Sequence, residues 1–129
     1  MKPSLRILCV DDDPDIRTIA LMALALDPAI DARGAATAAE GLAMLVIDEW
    51  RPHVILLDVM IGAMSGPEML GRMRQSAALA DIPVIFMTAR AGTVAMAEYR
   101  LLGVAGVIVK PFDPIHLAGE VRALLERNA

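Results

Sequence analysis

The sequence predicts an α/β domain in which five parallel strands are covered by five helices, and two observations carry that expectation. Short apolar runs alternate five times with segments of helical spacing, and the last three runs are almost unbroken in apolar residues. Unbroken runs are what a parallel sheet needs when helices bury both of its faces. At 129 residues the chain has single-domain size, and a domain of that length buries roughly two thirds of the surface its unfolded chain exposes. Aromatic residues are only 3% of a composition that is 57% hydrophobic, so Leu, Ile, Val, Met and Ala have to fill the core.

The first strand is LRILCV, Leu5 to Val10. Asp13 and Pro14 follow as N-cap and first helical position, ahead of an apolar stripe at Ile16, Ile19, Ala20, Ala23 and Leu24. IDARGAA, Ile30 to Ala36, is the one run polar enough to suggest an edge strand. Thr37 and Glu40 form a capping box that opens the second helix, with Leu42, Leu45 and Val46 as its inner face. HVILLD, His53 to Asp58, is the third strand, and Ser65 with Glu68 repeats the capping box before a helix that buries Leu70 and Met73. IPVIFMT, Ile82 to Thr88, is the fourth strand, followed by a helix from Thr93 to Leu102 that Gly103 stops. GVIVK, Gly106 to Lys110, is the fifth, and Asp113 with Pro114 starts a last helix facing Leu117, Val121, Leu124 and Leu125 inward. With right-handed crossovers, five such units favour the flavodoxin-like, doubly wound order 2-1-3-4-5, whose ligand crevice lies between the first and third strands. Without repeat or linker, residues 1–129 are expected to form one domain.

Charge and composition narrow the function classes. Sixteen acidic against twelve basic residues leave a net charge of −4 with no Lys/Arg cluster, so direct nucleic-acid binding is not expected. The single Cys9 sits in an apolar run and reads as a small buried hydrophobe. Acids interrupt the N-terminal segment too early for a signal peptide or membrane span, which makes a cytoplasmic protein without membrane contact the expectation.

The crevice gathers the chemistry. Asp11 and Asp12 follow the first strand and Asp58 ends the third, so three carboxylates converge where open sheets bind ligands. Like charges that close oppose folding unless a cation lies among them, and an all-oxygen set points to a hard divalent ion, magnesium being the abundant one. Asp13 and Asp15 suit the helix N-terminus and need no other duty. A calcium loop over Asp11, Asp13 and Asp15 fails, because Ile16 stands at its turn glycine and Met22 at its bidentate glutamate. Thr88 ends the fourth strand and Lys110 the fifth, adding a hydroxyl and an ammonium. Such a set can hold a metal and a phosphoryl group together, with Asp58 as nucleophile forming an acyl phosphate while Lys110 neutralises phosphoryl oxygens. His53 and His116 lie far from the acids and are not expected to ligate metal.

ILCVDDDPDIR, LLDVMIGAMSG, FMTAR and VIVKPF, in that order, resemble the four motifs of the receiver family of two-component signalling, and the resemblance covers essentially the whole chain. It implies a stand-alone, chemotaxis-regulator-like phosphoacceptor with Asp58 as its phosphorylation site. Asp12 and Asp58 would be direct Mg2+ ligands, with the Met60 carbonyl beside them and Asp11 acting mainly through water. Lys110 would pair with Asp58, the Lys110–Pro111 bond would be cis, and Thr88 would swing toward the phosphoryl group. The implied partners are a histidine kinase or histidine phosphotransfer protein as donor and a protein target as output. Catalysis would be confined to the protein's own phosphorylation and dephosphorylation. Met60 and Arg90 resemble the family's modulators of phosphoryl lifetime. Two positions depart from the pattern: Val107 stands where an aromatic switch residue is usual, and Gly62 replaces a proline common in the loop after the acceptor.

Overall fold

The computed structural model describes residues 4–47, 49–62, 64–90 and 92–128. The outer limits of the expected domain, residues 1 and 129, lie outside them. Strands and helices alternate throughout: β1 (Leu5–Val10), α1 (Pro14–Leu24), β2 (Ile30–Ala35), α2 (Ala38–Ile47), β3 (Val54–Asp58), α3 (Gly66–Arg74), β4 (Val84–Thr88), α4 (Thr93–Leu101), β5 (Gly106–Val109) and α5 (Leu117–Arg127). The sheet is parallel in the order β2-β1-β3-β4-β5, as expected.

Pleating divides each strand between two cores. Leu8, Val10, Ile55, Leu57, Val84 and Phe86 face α2, α3 and α4, while Ile7, Cys9, Leu56, Ile85 and Met87 face α1 and α5. β3 and β4 are buried along their whole length, which explains their unbroken apolar sequence. β5 is an edge as well as β2, so the exposed Val109 and half-buried Val107 sit on a rim that the apolar run GVIV did not advertise.

The capping signals hold with two corrections of detail. Asp13 accepts from the N–H groups of Asp15 and Ile16, and Ser65 with Glu68 forms the full capping box. At α2 the Thr37 hydroxyl accepts from Glu40 N, but the Glu40 carboxylate reaches the N–H of Ala36 instead of Thr37. α5 begins at Leu117, not at Asp113. The Asp113 carboxylate accepts from Ile115 N and its carbonyl from His116 N, making a separate turn, and the helix starts where Leu117 and then Val121 can enter the core. On α2 the expected inner residue Val46 is 74% exposed, and Ala38 and Gly41 are buried instead. Small residues there let the helix lie close, since a Cβ on Gly41 would meet Met69 and Val10 at 3.2 Å.

Two glycines of α3 show how tightly the fold grips one end of that helix. A Cβ on Gly66 would lie 2.7 Å from the Asp58 carbonyl oxygen and 3.0 Å from Val59 Cα, whereas one on Gly71 meets nothing within 4 Å. Gly66→Ala is therefore expected to destabilise the protein by about 1–3 kcal/mol, because backbone has to move. Gly71→Ala is expected to stabilise it by about 0.5–1 kcal/mol through helix propensity. Urea unfolding of the two variants checks both signs.

Candidate functional site

Parallel pairing brings the functional residues to one end of the sheet. β1 and β3 pair with Val10 beside Leu57, so Asp11 and Asp58 are the next residues on neighbouring strands. β4 and β5 pair with Thr88 beside Val109, and Lys110 follows, its N–H donating to the Thr88 carbonyl at 2.8 Å. Asp11 is further fixed by its own N–H, which donates to Ala35 O at 3.1 Å on β2.

Asp11, Asp12 and Asp58 each present a carboxylate oxygen, all within 4.8 Å of one another. Asp11 and Asp58 are buried and Asp12 is exposed. Two unit charges at that separation repel by about 3 kcal/mol in surroundings of effective dielectric constant about 20, so the cluster needs donors. Lys110 supplies the strongest, with Nζ 2.9 Å from Asp11 Oδ2 and 3.0 Å from Asp58 Oδ2. Main-chain N–H groups supply the others: Asp13 to Asp11 Oδ1 at 3.0 Å, Met60 to Asp58 Oδ1 at 3.1 Å, and Gly62 to Asp12 Oδ2 at 3.1 Å.

Burial is the main force on Asp58 and raises its carboxyl above the ordinary aspartate value; hydrogen bonds from Lys110 and Met60 work against it, and the nearby Asp11 charge adds to it. For Lys110, burial pulls the ammonium down, but its bonds to Asp11 and Asp58 outweigh that and leave it above the ordinary lysine value. One ammonium among three carboxylates leaves the donor set short of positive charge. Its ligand atoms are all oxygen, without thiol or imidazole, which suits a hard divalent cation.

Other expected residues surround this centre. Thr88 is buried with its hydroxyl oxygen accepting from Arg90 N at 2.9 Å. The Met60 side chain is 74% exposed and Arg90 is exposed, so both stand at the rim. Lys110–Pro111 is cis, as the resemblance implied, and Pro111 is exposed. Val107 is not at the carboxylates: it pairs with Phe86 across the ladder and packs against the apolar core that also holds the buried Tyr99. His53 accepts from Arg6 N before the opposite end of β3, and His116 pairs with Asp113, away from the carboxylates. Cys9 is fully buried and its thiol is pushed up to about 12, chiefly by burial, in keeping with an unreactive core residue.

The sequence marked Gly62 only as a departure from the proline common in that loop. Its backbone instead adopts φ +48° and aims its N–H at Asp12, a bond that a proline could not make. Only the glycine itself hinted at a left-handed turn there.

Residues 7–122 match the family model described as response regulator receiver domain. DNA-binding response regulator MtrA of Mycolicibacterium smegmatis is 33% identical over 126 residues, which are 95% of this chain and 51% of that protein. Transcriptional regulatory protein YvrH of Bacillus subtilis is 35% identical over 122 residues, 95% of this chain and 49% of that protein. The chain spans about half the length of these curated relatives. Chemotaxis response regulator CheY4 of Vibrio cholerae superposes with a TM-score of 0.82 at 28% identity, covering 93% of this chain and 98% of its own. The names of the relatives correct one expectation: nucleic acid is not excluded as a partner. The exclusion rested on a net charge counted over a chain half as long as theirs. Among the described residues, no helix is long and apolar enough to cross a membrane.

Because the folded state holds a proton on Asp58 to higher pH than an unfolded chain does, this group costs stability as pH rises through its raised value. Asp58→Asn is therefore expected to raise the melting temperature in EDTA near neutral pH, by roughly 3 °C for each kcal/mol relieved. It should also lose most of the rise that magnesium gives the parent protein. A melting temperature in EDTA well below the parent's contradicts this electrostatic account.

Proposed function

From the premise that the chain belongs to the response regulator receiver domain family, we propose that Asp58 is its phosphoryl acceptor and that phosphorylation switches its output. The observation that carries this is the ammonium of Lys110 lying 3.0 Å from Asp58 within a three-carboxylate cluster. The donor is a phosphohistidine on a histidine kinase or histidine phosphotransfer protein. An Asp58 carboxylate oxygen attacks phosphorus, the phosphorus–nitrogen bond breaks with its electron pair going to the imidazole, and an acyl phosphate forms. Asp12 and Asp58 would hold a magnesium ion with the Met60 carbonyl, and Asp11 would act mainly through water. When bound, the ion supplies positive charge against the phosphoryl oxygens. Lys110 meets the same oxygens from the β5 side and keeps Asp58 oriented.

Thr88 transmits the change. Its hydroxyl now accepts from Arg90 N–H, and donating to a phosphoryl oxygen instead draws the end of β4 and the following loop inward. With Val107 in place of an aromatic, the movement passes through Phe86 and Tyr99, whose rings meet edge to face at 5.4 Å. This couples β4 to α4 and changes the affinity of the α4–β5–α5 face for its target. The relatives named for DNA binding and transcriptional regulation direct the output toward DNA. The protein acts on no other substrate, and a cytoplasmic setting fits its phosphohistidine donor.

Incubation with acetyl phosphate and magnesium is expected to add one phosphoryl group by intact mass, and to add none to Asp58→Asn or in EDTA. A parent protein that gains no mass under saturating donor contradicts the proposal. Because the Met60 thioether cannot orient an attacking water, the acyl phosphate should decay slowly. Met60→Asn is expected to speed decay about tenfold, the rate equivalent of one hydrogen bond. An unchanged decay rate removes Met60 from lifetime control.

A further inference from the structure

Arg17 sits in the second turn of α1 and reaches back to the C-terminal end of β1. Its guanidinium Nη1 donates to the main-chain carbonyl of Asp11 at 2.8 Å. That carbonyl belongs to the peptide unit that joins Asp11 to Asp12, so its orientation sets how the two side chains diverge from the end of β1. The N–H on the other side of Asp11 is already tied to Ala35 O. Arg17 therefore fixes the half of the acidic pair that the sheet leaves unfixed.

The path of the side chain depends on Gly34. This β2 residue pairs with Cys9 on the face that α1 covers, and a Cβ built on it would lie 3.2 Å and 3.3 Å from Arg17 Cδ and Cγ. It would also lie 3.0 Å from Leu21 Cδ1, so neither neighbour leaves room to spare. Gly34 gives the arginine stem its route across the edge of the sheet. An arginine suits the task because its guanidinium is a rigid, always charged donor at the end of a long apolar stem.

We propose that Arg17 is a positioning residue for the cation site, aligning the Asp11 and Asp12 carboxylates by holding the peptide between them, and that Gly34 admits its side chain. This rests on the cation site proposed above. Two opposing effects make the sign informative. A guanidinium near a cation repels it, whereas an outer-shell hydrogen bond that orients ligands strengthens binding, typically by about 10- to 100-fold. The geometry favours the second, because the guanidinium donates to the main-chain carbonyl of Asp11 and not to a carboxylate.

Isothermal titration of the unphosphorylated protein with magnesium, together with melting temperatures in EDTA, tests the inference through a double-mutant cycle. Arg17→Met is expected to weaken magnesium binding by about tenfold or more, and Arg17→Lys to recover part of the loss. Gly34→Ala should weaken binding in the parent background and add little once Arg17 is Met, the non-additivity expected of residues acting through one contact. If Arg17→Met does not fold, the comparison of Gly34→Ala with the parent still decides, through the same dissociation constant. A lower melting temperature with an unchanged dissociation constant would make Arg17 merely structural and overturn the proposal, as would tighter binding. A parent protein that binds no magnesium overturns the cation site itself and this inference with it.

Discussion

The bridge from Lys110 to Asp11 and Asp58 is the contact around which the rest of the domain is organised. It spans the sheet from β5 to β1 and β3, joining residues 99 and 52 positions apart in the chain. Without it, two buried carboxylates would face each other with, among the described residues, only main-chain N–H groups as donors. The parallel topology makes it possible, since it turns the C-terminal ends of four strands toward one crevice. Burial raises Asp58 and the ammonium lowers it, and the balance leaves an acid that is short of positive charge. That shortage is what a divalent cation or a phosphoryl transfer can exploit.

Most of this was legible because it depends on local sequence rules. The order of the strands follows from apolar period and crossover handedness, and every strand was found within two residues of its expected limits. The site was legible because strand ends are visible in sequence and charges at them are rare within apolar runs. What escaped was set by tertiary packing. Pro83 belongs to an apolar run but has no N–H for the ladder, so β4 starts at Val84. Val46 fits a helical stripe yet faces outward, because close packing of α2 uses Ala38 and Gly41. The Gly62 and Arg17 hydrogen bonds were hidden for a different reason: each involves backbone whose direction no side-chain pattern records.

Charge counting misled in an instructive way. A net charge of −4 describes the field of these residues alone, and it says nothing of an output reached through conformational change. The relatives combine a similar receiver with names that include DNA binding, at twice this length. The electrostatics of a switch and those of its output are separate questions. Val107 offers a parallel lesson, because replacing one aromatic residue leaves the pocket chemistry untouched while the Phe86–Tyr99 contact still ties β4 to α4.

The central claim is that Asp11, Asp12 and Asp58 share one divalent cation beside Lys110. Paramagnetic manganese, used as a stand-in for magnesium in an NMR titration, tests it most directly. The account predicts selective broadening of the amide signals of Asp11 to Asp13, Asp58 to Gly62 and Lys110, reversed by excess magnesium and absent in Asp58→Asn. Broadening centred elsewhere, or unchanged by that substitution, would contradict it.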